Sequence, residues 1–118
     1  MPNDRKTQGP SISEAEQMEL LRGAERTGRQ AQRRWAELHL KYLEASHPQM
    51  VADLQRRGTL EQHLEAKGIE AEQMFEAMSA QMRAQKVDGE TFTQRLARFQ
   101  QIPVVANEIV LNESVYAL

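Results

Sequence analysis

Apolar side chains return along this chain at intervals of three and four residues, the spacing of one face of an α-helix. Ala31, Trp35, Leu38, Tyr42 and Ala45 make the clearest stripe, with Gln30, Arg33, Arg34, Glu37, Lys41 and Glu44 over much of the remaining surface. The stripe predicts a helix from about Thr27 to Ser46–His47, because Pro48 pushes the residue before it out of the α region. Pro48 suits the first turn of a following helix, which places Val51 and Leu54 inward with Met50 flanking. Arg56 and Arg57 complement the dipole of its last turn, and Gly58 is a natural left-handed C-cap. Thr59 with Gln62 has the spacing of a capping box that would open a third helix through Leu60 and Leu64. Residues 38–65 therefore read as a helix–Pro–helix–Gly–helix corner.

Either side of that corner the pattern continues. Residues 1–12 are polar, contain Pro2, Gly9 and Pro10, and predict a flexible tail. Ser13 and Glu16 have capping-box spacing ahead of a helix with Met18 and Leu21 inward; Gly23 and Gly28 either break it or leave it long and frayed. Gly68 is expected to end or bend the helix begun at Leu60. A new helix over residues 70–86 follows from Ala71, Phe75, Met78 and Met82, with Met74 alongside. After the turn signal Val87-Asp88-Gly89, a last helical stretch holds Phe92, Leu96, Phe99, Ile102, Ala106 and Ile109 in register. Pro103 interrupts its backbone bonding but not its apolar register, which favours a kink over a stop. Val104 to Leu111 could form a strand by composition, but a lone strand would have no partner. The prediction is one all-α domain, a small helical bundle of four to six helices over residues 13–117, behind a disordered tail.

Composition supports this and narrows the function. The 118 residues suffice for one modest core, and good helix formers dominate. There is no cysteine, which excludes disulfide and thiolate chemistry and suits a cytoplasmic protein. No apolar run is long enough to span a bilayer, and no signal peptide is expected of MPNDRKTQGPS. The net charge of −2 is unevenly spread: −2 over residues 1–21, +4 over 22–57 and −4 over 58–118. Only the middle segment could meet a phosphate backbone, and its excess is thin for a dedicated DNA binder.

Several residues stand at recognisable spacings. Lys41-Tyr42-Leu43 precedes His47-Pro48; Leu54, Gly58, Leu60, His63 and Leu64 follow; Glu108-Ile109-Val110-Leu111-Asn112-Glu113 leads to Tyr116 near the C-terminus. These stretches resemble the signatures of the TnpV family, small proteins encoded on transposons and related mobile elements. The resemblance covers about residues 33–66 and 99–117. Residues 1–30 do not follow the family's lead-in, Arg95 lies near the place of a usual tryptophan, and Pro103 replaces a commonly basic residue. The family is sometimes described as excisionase-like, and the resemblance brings no catalytic residues with it.

The chemistry of individual residues points the same way. The Gly58 corner invites comparison with a DNA-reading helix-turn-helix, yet Asp53 and Leu54 occupy positions where that motif wants an apolar and a small residue. The would-be reading helix carries Glu61 and Glu65 against one Lys67, and carboxylates repel phosphate. Arg22, Arg26, Arg29 and Arg33 recur at 4-3-4 spacing, with Arg34 and Lys41 nearby. That face could follow DNA or an acidic protein, although its plainest reading is a solvated surface with i,i+4 ion pairs. Met74, Met78 and Met82 could form an adaptable partner groove or a core stripe. Trp35 and Tyr42 are expected to be core. His39, His47 and His63 lack metal-ligand spacing, so no metal or cofactor is expected; His47 reads as a capping residue and His63 as partly buried. Glu108, Glu113 and Tyr116 lack a nucleophile or cleft, so no enzyme is expected. The expectation is a non-catalytic accessory of a mobile element that binds a protein partner such as a recombinase or host factor. An excisionase-like DNA accessory using residues 22–41 is the alternative, and a homodimer stays open.

Overall fold

The computed structural model describes the backbone from Glu14 and the side chains from Gly28, in each case to Leu118. The expected tail and the Ser13 cap lie outside the described residues. By its contacts the chain divides into residues 1–30 and 31–118, and the packing below belongs to the second unit. Four helices appear in order: α1 (Glu14–Ser46), α2 (Pro48–Arg57), α3 (Leu60–Ala84) and α4 (Phe92–Val110), the last passing into a π-helical turn at Leu111–Val115. There is no strand among the described residues. Residues 104–110 are helical, and Pro103 lies inside α4, so the proline does not end the helix.

The corner forms as its signals require, with one exception. His47 stands between α1 and α2, Pro48 opens α2, and Gly58 closes it at φ 71°, a left-handed conformation that glycine adopts without a Cβ penalty. Thr59 precedes α3, but its side chain caps nothing. Its hydroxyl lies instead against the Leu54 carbonyl of α2, 3.5 Å away. Capping-box spacing at Thr59 and Gln62 was therefore not enough. The box that does form is Thr91 with Gln94 at the start of α4: the Gln94 N–H donates to the Thr91 hydroxyl (3.1 Å), and the Thr91 N–H donates to the Gln94 side chain (3.0 Å).

The glycines do not interrupt the helices. α1 is continuous through Gly23 and Gly28. α3 is a single helix through Gly68, not one helix ending there and another beginning near residue 70. The physical role of Gly68 is packing. A Cβ there would fall well inside van der Waals contact with the Gln32 carbonyl oxygen of α1, so glycine lets the two helix backbones approach.

The core gathers where α1, α3 and the C-terminal turn meet. Trp35, Ala71, Val110 and Val115 are fully buried, with Leu38, Met74, Phe75 and Leu111 packed against them. The Trp35 and Phe75 rings lie 6.1 Å apart, a separation typical of tilted aromatic pairs. On α1 the buried positions are Trp35, His39 and Leu43, while Leu38 and Tyr42 are half-buried and Ala45 is exposed. The inward face is thus turned by about one residue from the predicted stripe, and it carries a histidine to its centre.

At the far end of the α3–α4 hairpin, Arg98 fastens the connection. Its guanidinium donates to both carboxylate oxygens of Glu90 (2.7 and 3.0 Å) and to the carbonyls of Met82 (3.1 Å) and Gln85 (3.3 Å). Those carbonyls belong to the end of α3, where helical partners run out, so the arginine satisfies groups the helix cannot.

Candidate functional site

The most unusual feature of the interior is polar. His39 is 0% exposed and Lys67 8%, and Ser114 is also buried. Such groups are tolerated inside a protein when they are paired. His39 comes from the C-terminal third of α1, His63 and Lys67 from the first half of α3, and Ser114 from the π-helical turn, so the junction ties three elements together.

The partners fix where the protons sit. His39 Nδ1 lies 2.7 Å from the Val115 carbonyl oxygen. A carbonyl can only accept, so Nδ1 carries the hydrogen and neutral His39 presents a bare Nε2. His63 Nε2, 3.2 Å away, therefore donates to it. Burial is the largest influence on His39 and pushes its pKa below the ordinary 6.5; the nearby Lys67 and His63 push the same way, while the Val115 carbonyl and Glu70 oppose them. Beside the pair, the Lys67 ammonium lies 3.3 Å from Glu70 Oε2, and Ser114 Oγ donates to the same oxygen at 2.7 Å. The Ser114 hydrogen bond, followed by that of Lys67, holds the Glu70 carboxyl below the usual carboxylate range.

The outer edge is aromatic. The Tyr42 hydroxyl and His47 Nε2 are 3.1 Å apart, and the Tyr42 ring lies 5.8 Å from that of Tyr116. His47 occupies the N-cap position of α2, as expected, but its half-buried side chain pairs with Tyr42 and makes no cap hydrogen bond. A second polar contact closes the other side of the core, where the Trp35 indole N–H donates to Glu72 (3.0 Å). Burial raises the Glu72 pKa, with neighbouring Glu76 adding to the effect.

Chemically this is a lock. Ser114 spends its proton on a carboxylate, and His39 faces a carbonyl and another imidazole. Neither arrangement activates a nucleophile in the way catalysis needs. Among the described residues no group of three or more His, Asp or Glu is placed to hold a metal.

The residues singled out in the sequence are scattered. The side chains of Arg22 and Arg26 lie outside the described residues. Arg29, Arg33, Arg34 and Lys41 are exposed. The Arg34 guanidinium stacks over Trp35 at 5.2 Å and acts electrostatically on Glu72. Met74, Met78 and Met82 are half-buried, and Met74 packs on the core cluster. Lys67 is buried and paired with Glu70, and Asp53 pairs with Arg56 within α2. His39 and Ser114 were missed because each is a single polar residue on an otherwise apolar helical face. The one hint was His39 lying four residues from both Trp35 and Leu43.

The molecule is thus a small all-α protein whose two distant signature stretches, around Tyr42–His63 and Val110–Tyr116, close on each other through one buried polar junction. The chain belongs to the TnpV family: the family described as transposon-encoded protein TnpV matches residues 14–115. The match also takes in residues 14–30, which the motif-level resemblance left out. No curated protein and no solved structure matches the sequence.

Proposed function

We propose that this transposon-associated protein is a non-catalytic accessory of its element and acts by binding a protein partner, such as the element's recombinase or a host factor. The observation that carries this reading is the exposure of large apolar side chains along α4: Phe92, Leu96, Val104 and Val105 all face solvent. Such surface suits protein association better than contact with a phosphate backbone. Charge supports it. α3 carries Glu61, Glu65, Glu72 and Glu76, and Arg34 acts electrostatically on Glu72, so carboxylates there would repel a nucleic acid.

The DNA-accessory reading rests on the exposure of Arg29, Arg33, Arg34 and Lys41. One experiment separates the two. The full chain is mixed with the purified recombinase of its element and, separately, with a duplex from the element's end. Complexes are read by light scattering after size exclusion, and DNA by fluorescence anisotropy across a salt series. A stoichiometric protein complex with little DNA retention is expected. DNA binding whose affinity falls with salt at a log–log slope of about −2.7, as for roughly three phosphate contacts, and is lost in Arg33→Glu/Arg34→Glu, would establish the alternative.

A further inference from the structure

Large apolar and basic side chains are both exposed at the end of the α3–α4 hairpin. Three apolar side chains stand out of it: Val87 at 50%, Phe92 at 76% and Leu96 at 49% exposure. Phe92 and Leu96 are four residues apart on α4 and so occupy one face of its first turns. Around them the charge is positive. Arg83, Lys86 and Arg95 are exposed, and no Asp or Glu occurs at residues 77–87 or 91–107. Of the two acids between those runs, the Glu90 side chain is 6% exposed and is held by Arg98 and Arg95. Only Asp88 is an open carboxylate there. Between the end of α3, the connection and α4 lies a concavity of about 520 Å³ lined by Arg83, Lys86, Val87, Arg95 and Phe99 together with Asp88 and Glu90; Phe92 and Leu96 stand outside it.

The tip is also tied down. The Thr91–Gln94 capping box fixes the start of α4, Arg98 clips the end of α3, and Gly89 at φ 77° makes the tight turn between them. A surface held in place before its ligand arrives loses less entropy on binding.

We propose that this tip is the docking surface for an acidic amphipathic helix of a protein partner, its apolar face seated on Val87, Phe92 and Leu96 and its carboxylates on Arg83, Lys86 and Arg95. The proposal rests on the protein-binding reading above and names the chemistry of the partner. Charge complementarity selects an acidic segment. A duplex is disfavoured because large apolar side chains stand out beside the basic ones, and because the same hairpin turns acidic from Glu76 back to Glu61. A short helix can sit on the tip alone, whereas a long polyanion would meet both signs.

The test uses the full chain and a synthetic helical peptide of about 18 residues, or five turns, with Leu along one face and Glu along the other. A matched peptide with Lys for every Glu and a short DNA duplex serve as comparators, with binding read by fluorescence anisotropy. The acidic peptide should bind, more weakly by roughly tenfold on raising salt from about 50 to about 300 mM, and the Lys peptide should not. Leu96→Glu and, separately, Arg83→Glu/Lys86→Glu should each weaken it by about tenfold or more. Phe92→Ser, at the most exposed of the three apolar sites, should do likewise without altering the helical circular dichroism. No binding of the acidic peptide, equal binding of the Lys peptide, tighter binding of the duplex, or indifference to all three variants would each overturn the proposal. So would concentration-dependent self-association that Leu96→Glu abolishes, since the occupant would then be a second copy. If the recombinase complex forms and survives Leu96→Glu, the docking site fails while the protein-binding reading stands. If no recombinase complex forms but the acidic peptide binds the tip, that choice of partner fails and the docking site stands.

Discussion

The two ends of the α3–α4 hairpin invert the usual arrangement of a protein in opposite ways. At the junction with α1 and the C-terminal turn, polar groups are inside, with His39, Lys67 and Ser114 buried and each paired. At the tip, apolar groups are outside, with Phe92, Leu96 and Val87 open to water. A buried polar group costs stability unless its partners are placed well, so the junction constrains how α1, α3 and the turn can meet. An exposed apolar group contributes little to the fold and is available to a ligand. The difference teaches where to look for each property: stability and uniqueness at one end, recognition at the other.

The comparison breaks if damage at the junction is tolerated, or if damage at the tip unfolds the chain. The largest effect is expected for Trp35→Ala, which empties the centre of the core and strands the Glu72 carboxylate. Chemical denaturation should show a loss of about 4 kcal/mol. Next comes Gly68→Ala, where the new methyl group meets the backbone of α1 at Gln32 and the helices must part. A loss of about 2 kcal/mol is expected, and a neutral result would mean that α1 and α3 do not approach closely there.

The third prediction concerns pH. The folded-state pKa of His39 lies below 6.5, so the unfolded chain takes up a proton first as pH falls. The stability this neutral histidine contributes is complete above about pH 6.5 and drains away toward its lower folded pKa, by at most about 1.4 kcal/mol per pH unit. The groups facing it are His63, Lys67 and Glu70 of α3 and Tyr42 of α1, together with the Val115 carbonyl. Glu70, held below the carboxylate range, gives up its own contribution only as pH falls through its still lower folded pKa. Midpoints measured between pH 5 and 7 should fall with acid in the native chain, and His39→Gln should flatten that slope. An unchanged slope would remove His39 from the account. The smallest effect is expected at the tip, where Phe92→Ser should shift stability by no more than about 0.5 kcal/mol. A larger loss would show that the exposed ring serves the fold after all.

Much of the architecture was legible because its signals are local. Pro48 and Gly58 punctuate the chain through backbone geometry that any tertiary setting must respect, and the apolar stripes of α3 and α4 follow the helical period. Gly68 was misread because a glycine inside a helical pattern looks the same whether it ends the helix or admits a neighbour. Only the approach of Gln32 tells the two apart. Thr59 and Thr91 show the same limit, since both have capping spacing and only the second closes the box.

The candidate surfaces were less legible still. Met74, Met78 and Met82 were a groove or a core stripe by sequence, and packing half-buries them. Phe92 and Leu96 continue the apolar register of α4, which made them look internal, yet they are exposed while Ile102, Ala106 and Val110 further along the helix are buried.

By itself the sequence determined that the chain is helical, where its corner turns, and that its motifs are those of a transposon-encoded family. These follow from residue periods, caps and identities, which act over a few positions. Only the tertiary structure decided that His39, Lys67 and Ser114 are buried together with His63 and Glu70 at their edge, and that the tip of the hairpin stays uncovered. The contact between His39 and Val115 spans 76 positions along the chain. No local signal encodes a contact of that range; it exists because three helical faces bury their apolar area together and leave those polar groups only each other as partners.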